Sequence, residues 1–367
     1  MNKGILKFKD GKEFMGVLFG APVSSPVIAE AVFNTGTPGY QEILTDPSYK
    51  GQIVILTSPM IGNYGIIDIS DNESSDIKAT ALVVKKLYRG KIAPGRISLD
   101  AFLKKHSITG FEEADTRAMT IHIRKHGAMN AVIFTEEMRK DAEKLLSSYP
   151  STSQIDLIKT VAVKESVINP ATSSAREKAR KEAEMNIAVI DYGIKESILD
   201  NLYKRNARLS VFNKEAGSKE ILEAKPDLVF LSNGPGDPES LGRSIETIKD
   251  LIGKVPLCGI CLGHQLITLA LGAKTYKMKF GHHGANQPVK DVFTGRTFVT
   301  SQNHIFATDE NTLPSGVSVW MRNANDSSVE ALISPALKIK SVQFHPEGAP
   351  GPLDGEWIFD EFLELAK

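Results

Sequence analysis

The sequence predicts an α/β protein with two domains. The carboxyl-terminal domain is predicted to be a doubly wound, mostly parallel sheet, and the smaller amino-terminal domain a mixed α/β fold. After residue 186, short apolar runs alternate with stretches of helical period, as strands and helices do in a parallel sheet. Before residue 150 the alternation is less regular. We therefore predict a domain at 1–150, a turn-rich connector at 151–185 and a second domain at 186–367.

The first 150 residues contain short elements of both kinds. Gly4–Phe8 and Glu13–Phe19 flank a polar turn and are predicted to form a hairpin. Asp76–Tyr88 and Leu99–His106 have helical periodicity and are predicted to be amphipathic helices. Arg176–Glu184 is a charged run, which we interpret as part of a solvated connector.

The carboxyl-terminal domain is more regular. We predict strands at Ile187–Ile190, Leu209–Phe212, Asp227–Leu231 and just before Cys261, with helices at Lys195–Arg205, Ser218–Ala224 and Ser244–Leu251 between them. Sites in such sheets lie beyond the carboxyl ends of the strands. Ser232–Pro238 and Cys261 both follow predicted strands, so both are expected at that edge.

Composition and charge exclude several classes of protein. Lysine plus arginine equals aspartate plus glutamate at 44 each, which argues against a nucleic-acid or membrane-surface binder. Met1–Phe14 has no apolar core of a signal peptide, and no apolar run approaches the ~20 residues of a membrane span. Two cysteines in so long a chain do not make a disulfide framework. We expect a cytoplasmic protein.

Cys261 has the setting of a nucleophile. It stands in Gly259-Ile-Cys-Leu-Gly263, between an apolar run and a helical run, which predicts a sharp strand-to-helix turn with the thiol at its tip. The alternative is a buried cysteine that acts as a small apolar residue. We assign that role to Cys258, which falls within the predicted strand. A redox C-x-x-C pair is disfavoured, because its first cysteine would begin the helix, whereas here the second does.

His345 and Glu347 complete a candidate triad. They lie two residues apart after a predicted strand, Lys338–Phe344, so both side chains point to one side if the chain stays extended. The carboxylate then orients the imidazole, and the imidazole serves Cys261 as a base. The alternative is a turn histidine beside a solvated glutamate.

The glycines of Ser232–Pro238 are a further candidate. Gly234 and Gly236 let a backbone approach a substrate closely, and one of their N–H groups with that of Leu262 makes a candidate oxyanion hole. An ordinary glycine-proline turn is the alternative. The chain has no dinucleotide or phosphate-loop glycine motif. Five histidines (264, 282, 283, 304 and 345) lack the spacing of a metal site, so no metal is expected.

These residues carry a resemblance to a known family. Ser232–Pro238, Gly259–Gln265 and His345–Glu347, in this order, resemble the triad-type class I glutamine amidotransferase domain, which is flavodoxin-like. Other motifs are similar to the small subunit of carbamoyl-phosphate synthase: Phe33–Thr35, Gly39–Tyr49, Ile61–Gly65, Asp115–Arg117, Lys279–Gly284 and Ser301–His304. The resemblance covers nearly the whole chain.

The resemblance implies hydrolysis of glutamine to glutamate and ammonia. Cys261 would form a thioester, His345 would act as base, and Glu347 would orient it. The N–H groups of Gly234 and Leu262 would hold the oxyanion. The residues implied in glutamine binding are Ser48, which would reach over from the first domain, and Gly234, Gly236, Leu262, Gln265, Asn303, Ile305 and Phe306.

One position departs from the family pattern. The family usually has glycine after Asn-His, where this chain has Ile305. Isoleucine keeps the backbone N–H but does not adopt a positive φ cheaply. Weakened glutamine binding is therefore a hypothesis.

The resemblance also implies a partner. In the family, a large subunit receives the ammonia and uses ATP to make carbamoyl phosphate, for pyrimidine or arginine synthesis. We expect a heterodimer or larger assembly, with no cofactor in this chain and with ATP and Mg²⁺ on the large subunit. Three alternatives remain open: the glutaminase of another amidotransferase, a catalytically silent regulatory subunit, and a γ-glutamyl peptidase.

Overall fold

The computed structural model describes residues 3–67, 72–168 and 183–367. The chain forms two compact units: Met1–Ile155 with Lys279–Gly284, and Asp156–Met278 with Ala285–Lys367. The predicted connector at 151–185 lies partly outside the described residues, as does most of its charged run. Its described part contains two short 3₁₀ turns, Thr152–Gln154 and Ile158–Thr160, and one short strand.

The first unit is built on a closed sheet. Its strands are β1 Lys3–Phe8, β2 Glu13–Gly20, β3 Val27–Asn34, β4 Gln52–Leu56, β5 Ala81–Val83, β6 Thr109–Glu112 and β7 Met129–Phe134. They close in the order β1-β2-β6-β5-β4-β3-β7. Its helices are α1 Tyr40–Thr45, α2 Leu99–Lys105, α3 Thr116–His126 and α4 Arg139–Ser148, with 3₁₀ turns at Pro47–Tyr49 and Glu136–Met138. β1 and β2 form the predicted hairpin, and α2 confirms the predicted helix.

The predicted helix at Asp76–Tyr88 is wrong. Its centre is the strand β5, which pairs in parallel with β4 on one side and β6 on the other. Ala81, Leu82 and Val83 are all fully buried. A strand buried on both faces reads as a continuous apolar run, and periodicity alone does not separate such a run from a helix.

The second unit contains a ten-stranded sheet. The strands are β8 Val167–Ile168, β9 Met185–Asp191, β10 Ala207–Asn213, β11 Leu228–Leu231, β12 Leu257–Ile260, β13 Lys274–Asp291, β14 Thr297–Asp309, β15 Ser318–Asn323, β16 Val329–Ser334 and β17 Ile339–Val342. The order is β14-β13-β15-β16-β17-β12-β11-β9-β10-β8. The five central strands, β10, β9, β11, β12 and β17, are parallel. β8 pairs antiparallel at one side, and β16, β15 and β13 pair antiparallel at the other.

Helices cover both faces of this sheet, as the sequence predicted. They are α5 Glu196–Lys204, α6 Ser218–Glu223, α7 Gly242–Leu251, α8 Leu262–Ala270 and α9 Ile358–Leu363, with 3₁₀ turns at Pro238–Ser240, Glu310–Thr312 and Glu364–Ala366. α5 and α9 pack on one face, and α6, α7 and α8 pack on the other. Within the described residues, no helix has the length and apolarity to span a membrane.

Candidate active site

Cys261 lies at the sharp turn between β12 and α8. Its φ of 53° and ψ of −104° are strained for a residue with a side chain. Its N–H donates to the Val342 carbonyl at 2.9 Å, which ties the turn to β17. A Cβ on Gly263 would lie 2.2 Å from the Leu231 carbonyl oxygen, and one on Gly259 would lie 2.7 Å from the Gly263 carbonyl carbon. The two glycines therefore let the turn pack directly on neighbouring backbone.

Cys258 has the structural role predicted for it. It lies within β12, is fully buried, and belongs to the core between the sheet and its helices. Both cysteines are free thiols. Burial raises the pKa of the Cys258 thiol well above its ordinary value, which keeps that thiol protonated and unreactive.

His345 and Glu347 form a buried hydrogen-bonded pair. His345 Nδ1 lies 2.6 Å from Glu347 Oε1, and each residue is 3 % exposed. A carboxylate only accepts hydrogen bonds, so Nδ1 carries the hydrogen and Nε2 of the neutral ring is the basic nitrogen. Nε2 is buried, and the Cys261 side chain lies close to the ring.

The charges around His345 strengthen its imidazole as a proton acceptor beside the Cys261 thiol. Burial disfavours the imidazolium, but the Glu347 carboxylate and the neighbouring Cys261 raise the pKa of His345 to about 10. The Cys261 Sγ also lies 3.7 Å from the Asn303 carbonyl oxygen. The structure thus places the imidazole of His345 between the thiol of Cys261 and the carboxylate of Glu347, the arrangement that the sequence predicted.

Lys195 is a site residue that the sequence analysis missed. It caps the start of α5, just after β9, and is only 2 % exposed. Its Nζ donates to Glu347 Oε1 at 2.9 Å and to the Ala349 carbonyl. Burial opposes ionisation of Glu347, but Lys195 and His345 lower the pKa of that carboxyl to about 2. The only sequence signal was its position after a predicted strand at the same sheet edge, and lysine is rarely buried.

Gly234 and Leu262 lie side by side. A Cβ on Gly234 would be 3.0 Å from Leu262 Cδ2 and 2.4 Å from the Tyr192 carbonyl oxygen. Leu262 is the first residue of α8, where a helix leaves its N–H groups without partners in the helix. Gly236 has a φ of +101°, a conformation that favours glycine. The two predicted oxyanion donors are therefore neighbours beside Cys261.

Three of the residues predicted to bind glutamine lie around the same turn. Gln265 is one helical turn after Cys261, and its Nε2 donates to the Phe306 carbonyl at 3.0 Å. Asn303, whose carbonyl approaches the Cys261 Sγ, lies on the same strand as Phe306, β14. Gln265, Asn303 and Phe306 are all buried.

Ile305 lies within β14 and is 8 % exposed. It is not among the residues with positive φ. Ile305 therefore carries no positive-φ strain, and weakened glutamine binding stays a hypothesis.

Ser48 belongs to the first unit. It lies in the 3₁₀ turn Pro47–Tyr49, is 5 % exposed, and its N–H donates to Asp46 Oδ1 at 2.8 Å. Its part in glutamine binding stays a prediction.

Two family models match this chain. Residues 188–365 match the family model described as glutamine amidotransferase class-I, and residues 6–133 match that of the carbamoyl-phosphate synthase small chain, CPSase domain. The fold and site thus define a class I glutamine amidotransferase.

Three relatives, similar along almost the whole chain, narrow the class to one family. The carbamoyl phosphate synthase small chain of Methanococcus maripaludis strain C5 is 46 % identical over 99 % of this chain and 97 % of that protein. The small chain of Archaeoglobus fulgidus is 43 % identical over 100 % and 99 %, and that of Methanopyrus kandleri is 43 % identical over 100 % and 99 %. The chain belongs to the carbamoyl phosphate synthase small chain family.

Proposed function

We propose that this chain hydrolyses glutamine to glutamate and ammonia with a Cys261–His345–Glu347 triad. One observation carries the proposal: the buried pair of His345 and Glu347 lies beside a cysteine held in a strained turn at the start of α8. A nucleophile, a base and an orienting acid are the parts that acyl transfer needs. Membership of the family supports glutamine as the substrate.

In the first half of the reaction, the Cys261 sulfur attacks the side-chain amide carbon of glutamine. His345 Nε2 takes the thiol proton, and the carbonyl becomes a tetrahedral oxyanion. The carbon–nitrogen bond then breaks, and His345 returns the proton to the leaving ammonia. The product is a thioester between Cys261 and the glutamyl group. Glu347 holds the imidazole through Nδ1 and stabilises its charged form.

The oxyanion is held by backbone donors. The N–H groups of Gly234 and Leu262 are the proposed pair, and losing one such donor typically costs ~10²–10³ in rate. Gly236, Gln265, Asn303, Ile305 and Phe306 are proposed to bind the rest of the glutamine, together with Gly234, Leu262 and Ser48.

In the second half, water hydrolyses the thioester. His345 takes a proton from the water, the hydroxide oxygen attacks the thioester carbon, and the carbon–sulfur bond breaks. The proton returns to the Cys261 sulfur and glutamate leaves. The cycle consumes one water and restores the thiol.

We further propose that the ammonia goes to a large synthetase chain. That chain would combine it with bicarbonate and ATP, with Mg²⁺, to make carbamoyl phosphate for pyrimidine or arginine synthesis. The names of the relatives support this partner, and so does the lack of a nucleotide motif in this sequence. We place the complex in the cytoplasm.

The test is glutamate release by the purified chain, alone and with the large chain, ATP and bicarbonate. Cys261→Ser should abolish release in both conditions. Cys258→Ala is the matched control, because it alters the other cysteine, which is buried in β12, and it should retain turnover.

The outcomes separate the candidate functions. Slow release by the chain alone, stimulated by the large chain and lost in Cys261→Ser, supports the whole proposal. Release that needs Cys261 but does not respond to the large chain would point to another amidotransferase. Cleavage of γ-glutamyl peptides without any partner would indicate a peptidase. Absence of cysteine-dependent release in both conditions would leave a regulatory subunit.

A further inference from the structure

The side-chain amide of Gln265 is held in one orientation. Its Nε2 lies 3.0 Å from the Phe306 carbonyl oxygen and 3.0 Å from Gln343 Oε1. A carbonyl oxygen only accepts hydrogen bonds, so the atom of Gln265 that faces Phe306 must be the nitrogen. The same Phe306 oxygen lies 2.8 Å from His304 Nδ1, a contact that helps to fix it.

The orientation of Gln265 in turn fixes that of Gln343. An amide NH₂ has two hydrogens, and those of Gln265 go to Phe306 and Gln343. The atom of Gln343 that faces Gln265 must therefore be its acceptor oxygen. Gln265 has no donor left, and its Oε1, an acceptor, is the atom of this amide that is available to a ligand.

Stability alone does not explain a glutamine at position 343. The side chain is fully buried, and its Nε2 has no hydrogen-bond partner in the part of the chain that the structure describes. An unpaired buried donor destabilises a protein, and an apolar residue of similar size would avoid it. The backbone here is already held, because the Gln343 N–H donates to the Glu330 carbonyl at 2.7 Å.

Gln343 also lies close to the catalytic groups in the chain. It directly follows β17 and precedes His345 by two residues. Gln265 lies one helical turn after Cys261 on α8. The contact between the two glutamines therefore joins α8, which begins directly after the Cys261 nucleophile, to the segment that carries the base.

We propose that Gln343 is a positioning residue for the glutamine site, which locks the Gln265 amide with its oxygen towards the substrate. The inference rests on the proposed glutaminase function and deepens it. Gln343 acts through Gln265 and does not itself touch the reacting atoms.

The chemistry of glutamine indicates which group Gln265 receives. Glutamine carries two N–H groups, the side-chain amide and the α-ammonium. The amide nitrogen leaves as ammonia and takes its proton from His345. The α-ammonium remains, and a carbonyl acceptor suits a cationic donor. The locked Oε1 of Gln265 therefore selects substrates that carry an α-ammonium.

The experiment compares two substrates in three variants of the full chain, assayed with its large chain. The substrates are glutamine and glutaramate, which is glutamine without the α-amino group. Gln343→Leu removes the acceptor that holds Gln265, and Gln343→Glu keeps an oxygen at that place. Ser334→Ala is the matched control, because it removes a part-buried hydrogen bond, to the Gly316 carbonyl, from the neighbouring strand β16. Thermal unfolding reports whether each variant folds.

The expected result is a change in KM and in substrate preference. In Gln343→Leu, the KM for glutamine rises about tenfold while kcat stays within about twofold, and the preference for glutamine over glutaramate falls by the same factor. Gln343→Glu and Ser334→Ala keep the wild-type KM and preference. If Gln343→Leu does not fold, Gln343→Met takes its place with the same expected result, because methionine also lacks the acceptor and matches glutamine in length.

Several results would overturn the inference. An unchanged KM and preference in Gln343→Leu would do so, as would a loss of kcat with the preference intact, which would indicate a structural role. Loss of preference in Gln343→Glu would do the same. In each case a wild type that needs Cys261 for turnover leaves the proposed function standing. A wild type without cysteine-dependent turnover would refute that function and this inference with it.

Discussion

Gly263→Ala should disable the site by moving α8, the helix that begins directly after the Cys261 nucleophile. Gly263 is the second residue of α8, and its N–H donates to the Ser232 carbonyl at 3.0 Å. A Cβ at this position would lie 2.2 Å from the Leu231 carbonyl oxygen and 2.8 Å from Leu231 Cβ. Ordinary van der Waals contact begins at 3.4 Å, and the group in the way is backbone of the central strand β11, which does not yield. Relief therefore requires α8 to move away from β11 by about 1 Å.

The size of the effect follows from that displacement. Forcing extra atoms into a packed interior typically costs ~1–3 kcal/mol of stability. The movement would also separate Leu262, at the start of α8, from Gly234, which follows β11. A misplacement of about 1 Å in a catalytic group costs ~10² in rate. We expect kcat/KM for glutamine to fall about a hundredfold, with a clear decrease in the unfolding temperature.

The assay is glutamate release, together with thermal unfolding. Gly242→Ala is the matched control: it is also a helical glycine, at the start of α7, but a Cβ there has nothing within 4 Å. It should leave activity unchanged and stability equal or higher, since alanine favours a helix over glycine. The reasoning would be refuted if Gly263→Ala kept more than about half of the kcat/KM of Gly242→Ala, because the clash would then be absorbed without moving the site.

Three further predictions concern the same unit. Gly236→Ala forces alanine into a φ of +101° without any clash, so it should lower the free energy of unfolding by about 1 kcal/mol and raise the KM for glutamine. Gly11→Ala is the control: its φ is +93° and its surroundings are equally open, so it should lose as much stability while the KM stays unchanged. Lys195→Met leaves the buried Glu347 carboxylate without its ammonium partner. It should therefore destabilise the protein by roughly 3–5 kcal/mol and lower kcat/KM for glutamine at least about tenfold. A wild-type unfolding temperature in this variant would contradict the prediction. The folded-state pKa of Glu347 is lowered from 4.5 to about 2. Between pH 4.5 and pH 2 the unfolded state therefore binds more protons than the folded state, and the free energy of unfolding must decrease as the pH falls. The loss should begin below about pH 4.5, total roughly 3 kcal/mol by pH 2, and be missing in Glu347→Gln, as measured by urea unfolding along the pH series.

The sequence alone predicted the parts of the site that are encoded locally. Two glycines around Cys261 are visible in any reading of the chain, and the structure shows why both are needed: each faces backbone at a distance that excludes a Cβ. The contact of His345 with Glu347 was predicted, but for the wrong reason: the sequence argument assumed an extended segment, whereas the chain turns here and the Gly348 N–H donates to the His345 carbonyl at 3.2 Å. The alternation of strands and helices likewise predicted a sheet covered on both faces.

Tertiary structure decided what depends on residues far apart in the chain. β5 is a strand because β4 and β6 pair with it on both sides, which no local period reveals. Lys195 is a site residue because folding buries it against Glu347, 152 residues away. Ile305 is unstrained because it lies within β14, and Gln343 meets Gln265 only across the junction of two elements. Local pattern fixes backbone geometry and side-chain direction, but burial and long-range contact are properties of the packed fold, and they set the charges and orientations of this site.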